Sequence, residues 1–316
     1  MNKQEKLRMV LRGGEPGGCL TGFWMHFPET RHFGDECVRA HVKYYNATDV
    51  DILKVMNEHP YKIGCAIEKP EDWRYLRPHR AKEYYAGYLE ELRKTRRAVG
   101  PDVPLLATIH GVLVSACHAT DGMGKFTDPD NTVTRHLKED PAPVAAGLEA
   151  VAQTLDDLCA ECVAAGADGI YYAALGGEEY RFDEALFVRY VKPLERMILE
   201  NAHRRGLVFL HICKDRVRLP MYQGCTADVV NWATNECRYT LADGARLFPE
   251  SVILGGFDNR GGALLSASPE ELERQMRQMR ESVGNGRFIV GADCTLPAEM
   301  DYGRIRTIVD IAHAMC

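Results

Sequence analysis

No stretch of about 18 consecutive apolar residues occurs in this 316-residue chain, which excludes a membrane-spanning helix. The opening MNKQEKLRMVLRGG has no apolar core of the kind an export signal requires, so a secretory leader is not expected. Positive charge is not in excess: 39 Lys and Arg stand against 45 Asp and Glu, a net charge of −6. A general nucleic-acid binder, whose affinity comes from neutralising phosphates, is thereby disfavoured. Low-complexity Pro/Gly/Ser stretches are missing, as are internal repeats of about 20–50 residues. The cysteines are odd in number, 11, and lack the spacing of a disulfide framework. They read as reduced thiols of a cytoplasmic protein, some of them available to a metal.

What is present is an ordinary globular balance, 46% hydrophobic and 27% charged. Short β-type runs alternate with helical patterns along the whole length. Strands are expected at 19–25, 49–55, 103–109, 168–173, 207–211, 227–231, 251–255 and 287–291. Several are almost continuously apolar, as strands covered on both faces must be. Ser268-Pro269-Glu270-Glu271 reads as an N-cap, a first-turn proline and acidic residues opening a helix that closes on Gly284. Helices are also expected over 142–165 and 183–205, the latter kinked or jointed at Pro193. This alternation favours one α/β domain over 1–316, a (β/α)8 TIM barrel, above an open doubly wound sheet. The longest insertion, 57–80, follows the second strand and is expected to cap the mouth. Function in such a barrel belongs at the ends of the strands and in the loops that follow them.

The sharpest chemical signal is LHICKD at 210–215 together with GADCTLP at 291–297. In extended chain His211 and Cys213 point to one side, and Cys294 follows the last strand on the same rim. One imidazole and two thiolates form a soft donor set suited to Zn2+, with a fourth position open as in catalytic zinc sites. Small residues buried at strand ends would give the same spacing. Strands five and eight are also not neighbours, so the two loops must lean inward to share an ion.

HICKD after a fifth strand, GGFDNRG at 255–261 and GADCTLP after an eighth together resemble the uroporphyrinogen decarboxylase superfamily. Within it they are most similar to the zinc-dependent, corrinoid-linked branch that includes methylcobalamin:coenzyme M methyltransferases. The opening EKLRMVLRGGEPGGCLTGFWMHF and TDVDILKVMNE extend the likeness over nearly the whole chain. The resemblance implies that His211, Cys213 and Cys294 hold zinc, which binds a substrate thiol as thiolate. It implies methyl transfer between that ligand and methylcobalamin, in either direction. No D-x-H-x-x-G cobalamin-binding segment is present, so the corrinoid is expected on a partner protein.

Two departures qualify the likeness. The decarboxylases use no metal and open with an Arg-rich segment suited to a polycarboxylate substrate. Here that stretch reads FWMHFPETRHF, with Arg31 its only arginine, and the decarboxylases' late histidine corresponds to Cys294. A metal-free decarboxylase therefore ranks second, and a zinc- or thiol-binding relative without catalysis third. In the methyltransferases an acidic residue follows the sixth strand, whereas this chain reads VVNWATNE, with Ala233 and Thr234 at about that point and Glu236 slightly displaced, so the fourth zinc position is left to water, to Glu236 or to nothing from the protein.

Asp51 matches the decarboxylase aspartate that contacts pyrrole nitrogens, and is expected to act as acid, base or acceptor. Turn capping is its structural alternative. His118, in the loop after the third strand, is its expected catalytic companion, and His110 a further contact. Trp24, His26, Tyr172, Asp258 and Asn259 are expected to line the substrate pocket. Tyr171 and Tyr172 point to opposite faces, so only one of them can do so. Cys159 and Cys162 fall inside a helical pattern and read as core rather than redox residues. Cys316 reads as incidental, and the basic run 93–97 as a solvated face. A small-molecule substrate, a corrinoid-binding partner and a possible homodimer complete the expectations.

Overall fold

A computed structural model describes residues 1–284 and 286–315; Cys316 lies outside them. Eight parallel strands form one sheet: β1 Leu20–Gly22, β2 Leu53–Val55, β3 Leu105–His110, β4 Gly169–Ala174, β5 Leu207–Ile212, β6 Val229–Trp232, β7 Val252–Phe257 and β8 Phe288–Ala292. Their order is β1-β8-β7-β6-β5-β4-β3-β2, a TIM barrel whose β1 and β2 meet at a seam without ladder pairing among the described residues. Each lies within or beside the run that its apolar residues predict. None of the described helices is long and apolar enough to cross a membrane.

Strand alternation sorts the core into two layers. Leu20, Trp24, Ile52, Leu106, Tyr171, Phe209, Val229, Leu254 and Ile289 fill the interior. Residues of opposite parity, such as Leu53, Val55, Tyr172 and Val208, pack outward against the helices. The helix Pro269–Val283 starts at Ser268, whose side chain accepts from Glu271 N, and stops at Gly284, whose φ of 75° is the left-handed conformation of a helix end. At Pro193 the expected joint is real. Glu184–Leu186 runs into a π-helical segment, Phe187–Val191, before Lys192–His203 resumes the α-helix. A wider turn ahead of Pro193 relieves the clash its ring would make with the preceding carbonyls. Cys159 and Cys162 are fully buried in the helix Pro141–Ala164, as core residues.

Two expectations need correction. The insertion 57–80 is fastened outside the ring of strands. Its Trp73 is buried, donates from Nε1 to His136 Nδ1 at 3.1 Å, and lies so close to Gly147 that a Cβ there would come within 2.8 Å of it. Only its first residues, Asn57 and Glu58, connect to the barrel mouth, through Thr108 O and His26.

Asp51 precedes β2 instead of ending it, because the strand begins at Leu53. That places it at the N-terminal end of the barrel, away from the mouth. There it closes the seam. Its Oδ2 accepts from Thr21 N at 2.8 Å and Thr21 Oγ1 at 3.0 Å, and meets His313 Nε2 at 2.8 Å. A side chain thus does the work of the missing β1–β2 ladder. Asp51→Ala is expected to cost ~3 kcal/mol of stability, as three hydrogen bonds to a buried carboxylate are lost. A denaturant midpoint should fall accordingly.

Candidate metal centre

His211 is on the inner face of β5, and Cys213 follows two residues on, its amide still bonded to Ala174 O at 3.0 Å. Left-handed backbone at Lys214 (φ 81°) and Arg216 (φ 46°) then turns the chain sharply away. Cys294 arrives from the end of β8. One donor atom each of His211, Cys213 and Cys294 lies within 4.8 Å of the other two, and His211 Nε2 is 3.5 Å from Cys294 Sγ. The separation of β5 from β8 around the ring is no obstacle, since side chains on the inner faces of a small barrel converge on its axis. The carboxylate of Glu236 is not part of this group.

The imidazole is held in one tautomer by a chain of forced choices. Asn231 Nδ2 faces two backbone carbonyls, Leu254 O at 2.9 Å and Ala292 O at 3.1 Å, which can only accept. Its Oδ1 must then face His211 Nδ1, at 2.6 Å, so Nδ1 carries the proton and Nε2 offers a bare lone pair toward the sulfurs. Tyr171 OH donates to the same Oδ1 at 3.2 Å, and its ring stacks on that of His211 with centroids 5.4 Å apart. Asn231→Leu is expected to weaken the affinity of the triad for a metal ion about 10- to 100-fold, the usual effect of losing a partner that orients a metal-ligating histidine. Competition with a chromophoric chelator would measure it.

The two sulfurs are not equivalent. Cys294 is held well below the ordinary thiol value by the hydrogen bond from Cys213, with further help from His211, against burial that pushes it up. Cys213, the half-buried donor of that bond, is pushed well up by it and by desolvation. Such a pair shares one proton and readily gives it up to a cation.

Asp293 braces the cysteine beside it. Fully buried, it accepts from Thr234 N and Oγ1, both at 2.9 Å, from Asn235 N at 3.0 Å and from Asn235 Nδ2 at 3.1 Å. This ties the loop after β8 to the loop after β6. Asn259 adds a second tie by donating to Thr295 O at 2.8 Å, whereas Asp258 accepts from Arg260 N within its own turn.

Other expected site residues are distributed unevenly. Tyr172 is turned outward and its hydroxyl accepts from Val112 N at 3.3 Å, so Tyr171 is the tyrosine of β4 that faces the interior. Parity decides this, since neighbours in a strand point oppositely. Trp24 is buried in the inner layer, edge-on to Tyr171 with centroids 4.7 Å apart. His26 pairs through Nδ1 with Glu58 Oε1 at 2.6 Å. Burial raises the Glu58 carboxyl, but the hydrogen bond and charge of His26 outweigh it and hold it below its ordinary value.

His118 is enclosed edge-on to His110 (4.9 Å), and neither of its ring nitrogens has a hydrogen-bond partner. Burial pushes His118 down to about 4 and His110 down to about 3. In the basic run, Arg96 is structural, donating to Gly166 O, Gly100 O and Val103 O.

Sequence reasoning missed Lys54, Glu58 and Asp293. Lys54 had a readable signal, because it shares the inward parity of Ile52 in an otherwise apolar strand. Asp293 had none, since only the fold shows which loop it braces.

The fold and its donor set define a (β/α)8 barrel with a candidate His/Cys/Cys metal site at the C-terminal mouth of its strands. The family model described as Uroporphyrinogen decarboxylase (URO-D) matches residues 27–315, and the chain belongs to that family. Among solved structures it is similar to a methyltransferase from Methanosarcina mazei, with 13% identity, TM-score 0.77, and 99% of this chain and 98% of that one covered. It is also similar to a B12-independent methionine synthase from Shewanella sp. W3-18-1 solved with selenomethionine, at 12% identity, TM-score 0.58 and 95% of each chain. A putative vitamin-B12-independent methionine synthase from Listeria monocytogenes shares 13% identity, TM-score 0.55, over 87% of this chain and 84% of that one. At such identities these likenesses speak for the fold alone. Comparison with curated proteins gives no match.

Proposed function

We propose that this protein is a zinc-dependent methyltransferase that moves a methyl group between a corrinoid carried by a partner protein and a small thiol or methyl-donor substrate. The observation that carries the reading is the meeting of His211 Nε2, Cys213 Sγ and Cys294 Sγ from two separated strand ends, with the imidazole already oriented by Asn231. The three donors are of the type and number that leave a catalytic zinc an open position. When bound, zinc would lower the pKa of a substrate thiol and so supply a nucleophile at neutral pH.

The chain's own contribution is positional. Asn231 and Tyr171 fix the imidazole, Asp293 fixes the loop bearing Cys294, and the inner layer of Trp24, Tyr171 and Phe209 closes the floor against water. The mouth above is bordered by His110 and by the His26–Glu58 pair. The Methanosarcina likeness supports the reading at the level of fold.

The test is elemental analysis of the purified protein followed by methyl exchange with free methylcobalamin and a small thiol. About one zinc per chain with exchange supports the reading. A protein without zinc that releases carbon dioxide from a carboxylated substrate would favour the metal-free decarboxylase instead.

A further inference from the structure

Lys54 is the one lysine buried inside the barrel among the described residues, and the functional reading above leaves it unused. It stands on the inner face of β2 in register with Leu106. Its residue is 4% exposed, and its Nζ lies 4.2 Å from the Tyr171 ring centroid and 5.1 Å from that of Trp24. Tyr171 in turn stacks on His211. No carboxylate of the described residues forms an ion pair with this ammonium.

Two aromatic faces compensate only part of the cost of taking a cation out of water. The negative charges that act on Lys54 are, in descending order, those of Cys294, Glu58 and Cys213. Glu58 already has His26 as its partner. The remaining complement is the sulfur centre. The groups facing that centre are therefore Lys54 from β2, Tyr171 from β4, His211 and Cys213 from β5, Cys294 from the end of β8, and Glu58 at the rim.

We propose that Lys54 is a specificity-determining residue that makes the centre select a ligand bringing one negative charge, a thiolate, over neutral ligands such as water or a thioether. The inference rests on the metal reading above. Two thiolates and a neutral imidazole balance a divalent cation, leaving the centre neutral. An arriving thiolate makes it −1, and the ammonium, one aromatic ring away from His211, is the buried cation that would offset that charge. A methylated sulfur is neutral and gains nothing from Lys54. The site therefore holds the thiolate more tightly than the corresponding S-methyl thioether.

The experiment uses the full chain loaded with Co2+, titrated with 2-mercaptoethanol and separately with its S-methyl ether. Sulfur-to-cobalt absorption reports thiol binding, and elemental analysis reports metal. Lys54→Met is expected to keep about one metal per chain and to bind the thiol roughly tenfold or more weakly. The pH at which the thiol signal is half developed should rise by about one unit, with thioether binding unchanged. Lys54→Gln, also neutral, should behave alike, and both should melt at or above the wild-type temperature because a desolvated charge is gone. Metal-loaded Lys54→Met and Lys54→Gln proteins with wild-type thiol affinity and pH response overturn this inference alone. A wild-type protein that holds no metal overturns the proposed function and this inference together.

Discussion

Cys213→Ala and Cys294→Ala are each expected to fold and to lose nearly all bound zinc. A three-donor set cannot spare a ligand. Site free energies of this kind run to ~10–16 kcal/mol, so one ligand accounts for several kcal/mol and affinity falls by about a thousandfold. Methyl exchange should fall with it. The replacements leave the barrel intact because neither sulfur is part of the inner packing layer. Elemental analysis beside a thermal melt separates loss of metal from loss of fold. A Cys294→Ala protein that keeps a full complement of zinc would remove that residue from the ligand set.

Arg181→Met is expected to give the largest loss of stability, ~3–5 kcal/mol, because it strands a buried carboxylate. Glu178 and Arg181 are 0% and 1% exposed and pair at 2.8 Å in the loop after β4. Arg181 also donates to Phe126 O at 3.0 Å and Thr134 Oγ1 at 3.1 Å, tying that loop to the segment after β3. Glu178 Oε2 accepts from Gly176 N at 2.7 Å. With the arginine gone, the carboxylate must protonate or draw in water, and the loop beside Cys213 loosens. A urea titration would show the lower midpoint. Replacing both residues together by Met and Leu should recover part of the loss, since the unpaired charge disappears.

The barrel was legible because alternating apolar runs and capped helices recur along the whole chain, and each signal is local. Pro193 marked its joint, and Ser268 and Gly284 marked both ends of their helix. The donor triad was legible because its residue types are chemically unusual at strand ends. Errors came where two or three residues of boundary decide orientation. Asp51, read as a strand-end site residue, sits ahead of β2 at the N-terminal end of the barrel, and parity within β4 exchanged Tyr172 for Tyr171. The 57–80 insertion was visible by length, but its docking through Trp73 depends on His136 and Gly147, far along the chain.

From sequence alone come the eightfold alternation, the soft donors His211, Cys213 and Cys294, and the absence of any long apolar span, since each is carried by residues close together in the chain. Tertiary structure alone brings β5 and β8 to a common ion-sized space, turns Asn231 onto His211, sets Asp293 under the loop of Cys294 and lays Lys54 over the ring of Tyr171. These are relations between groups distant in sequence. Strand register and the closing of the ring decide them, and no local pattern encodes either.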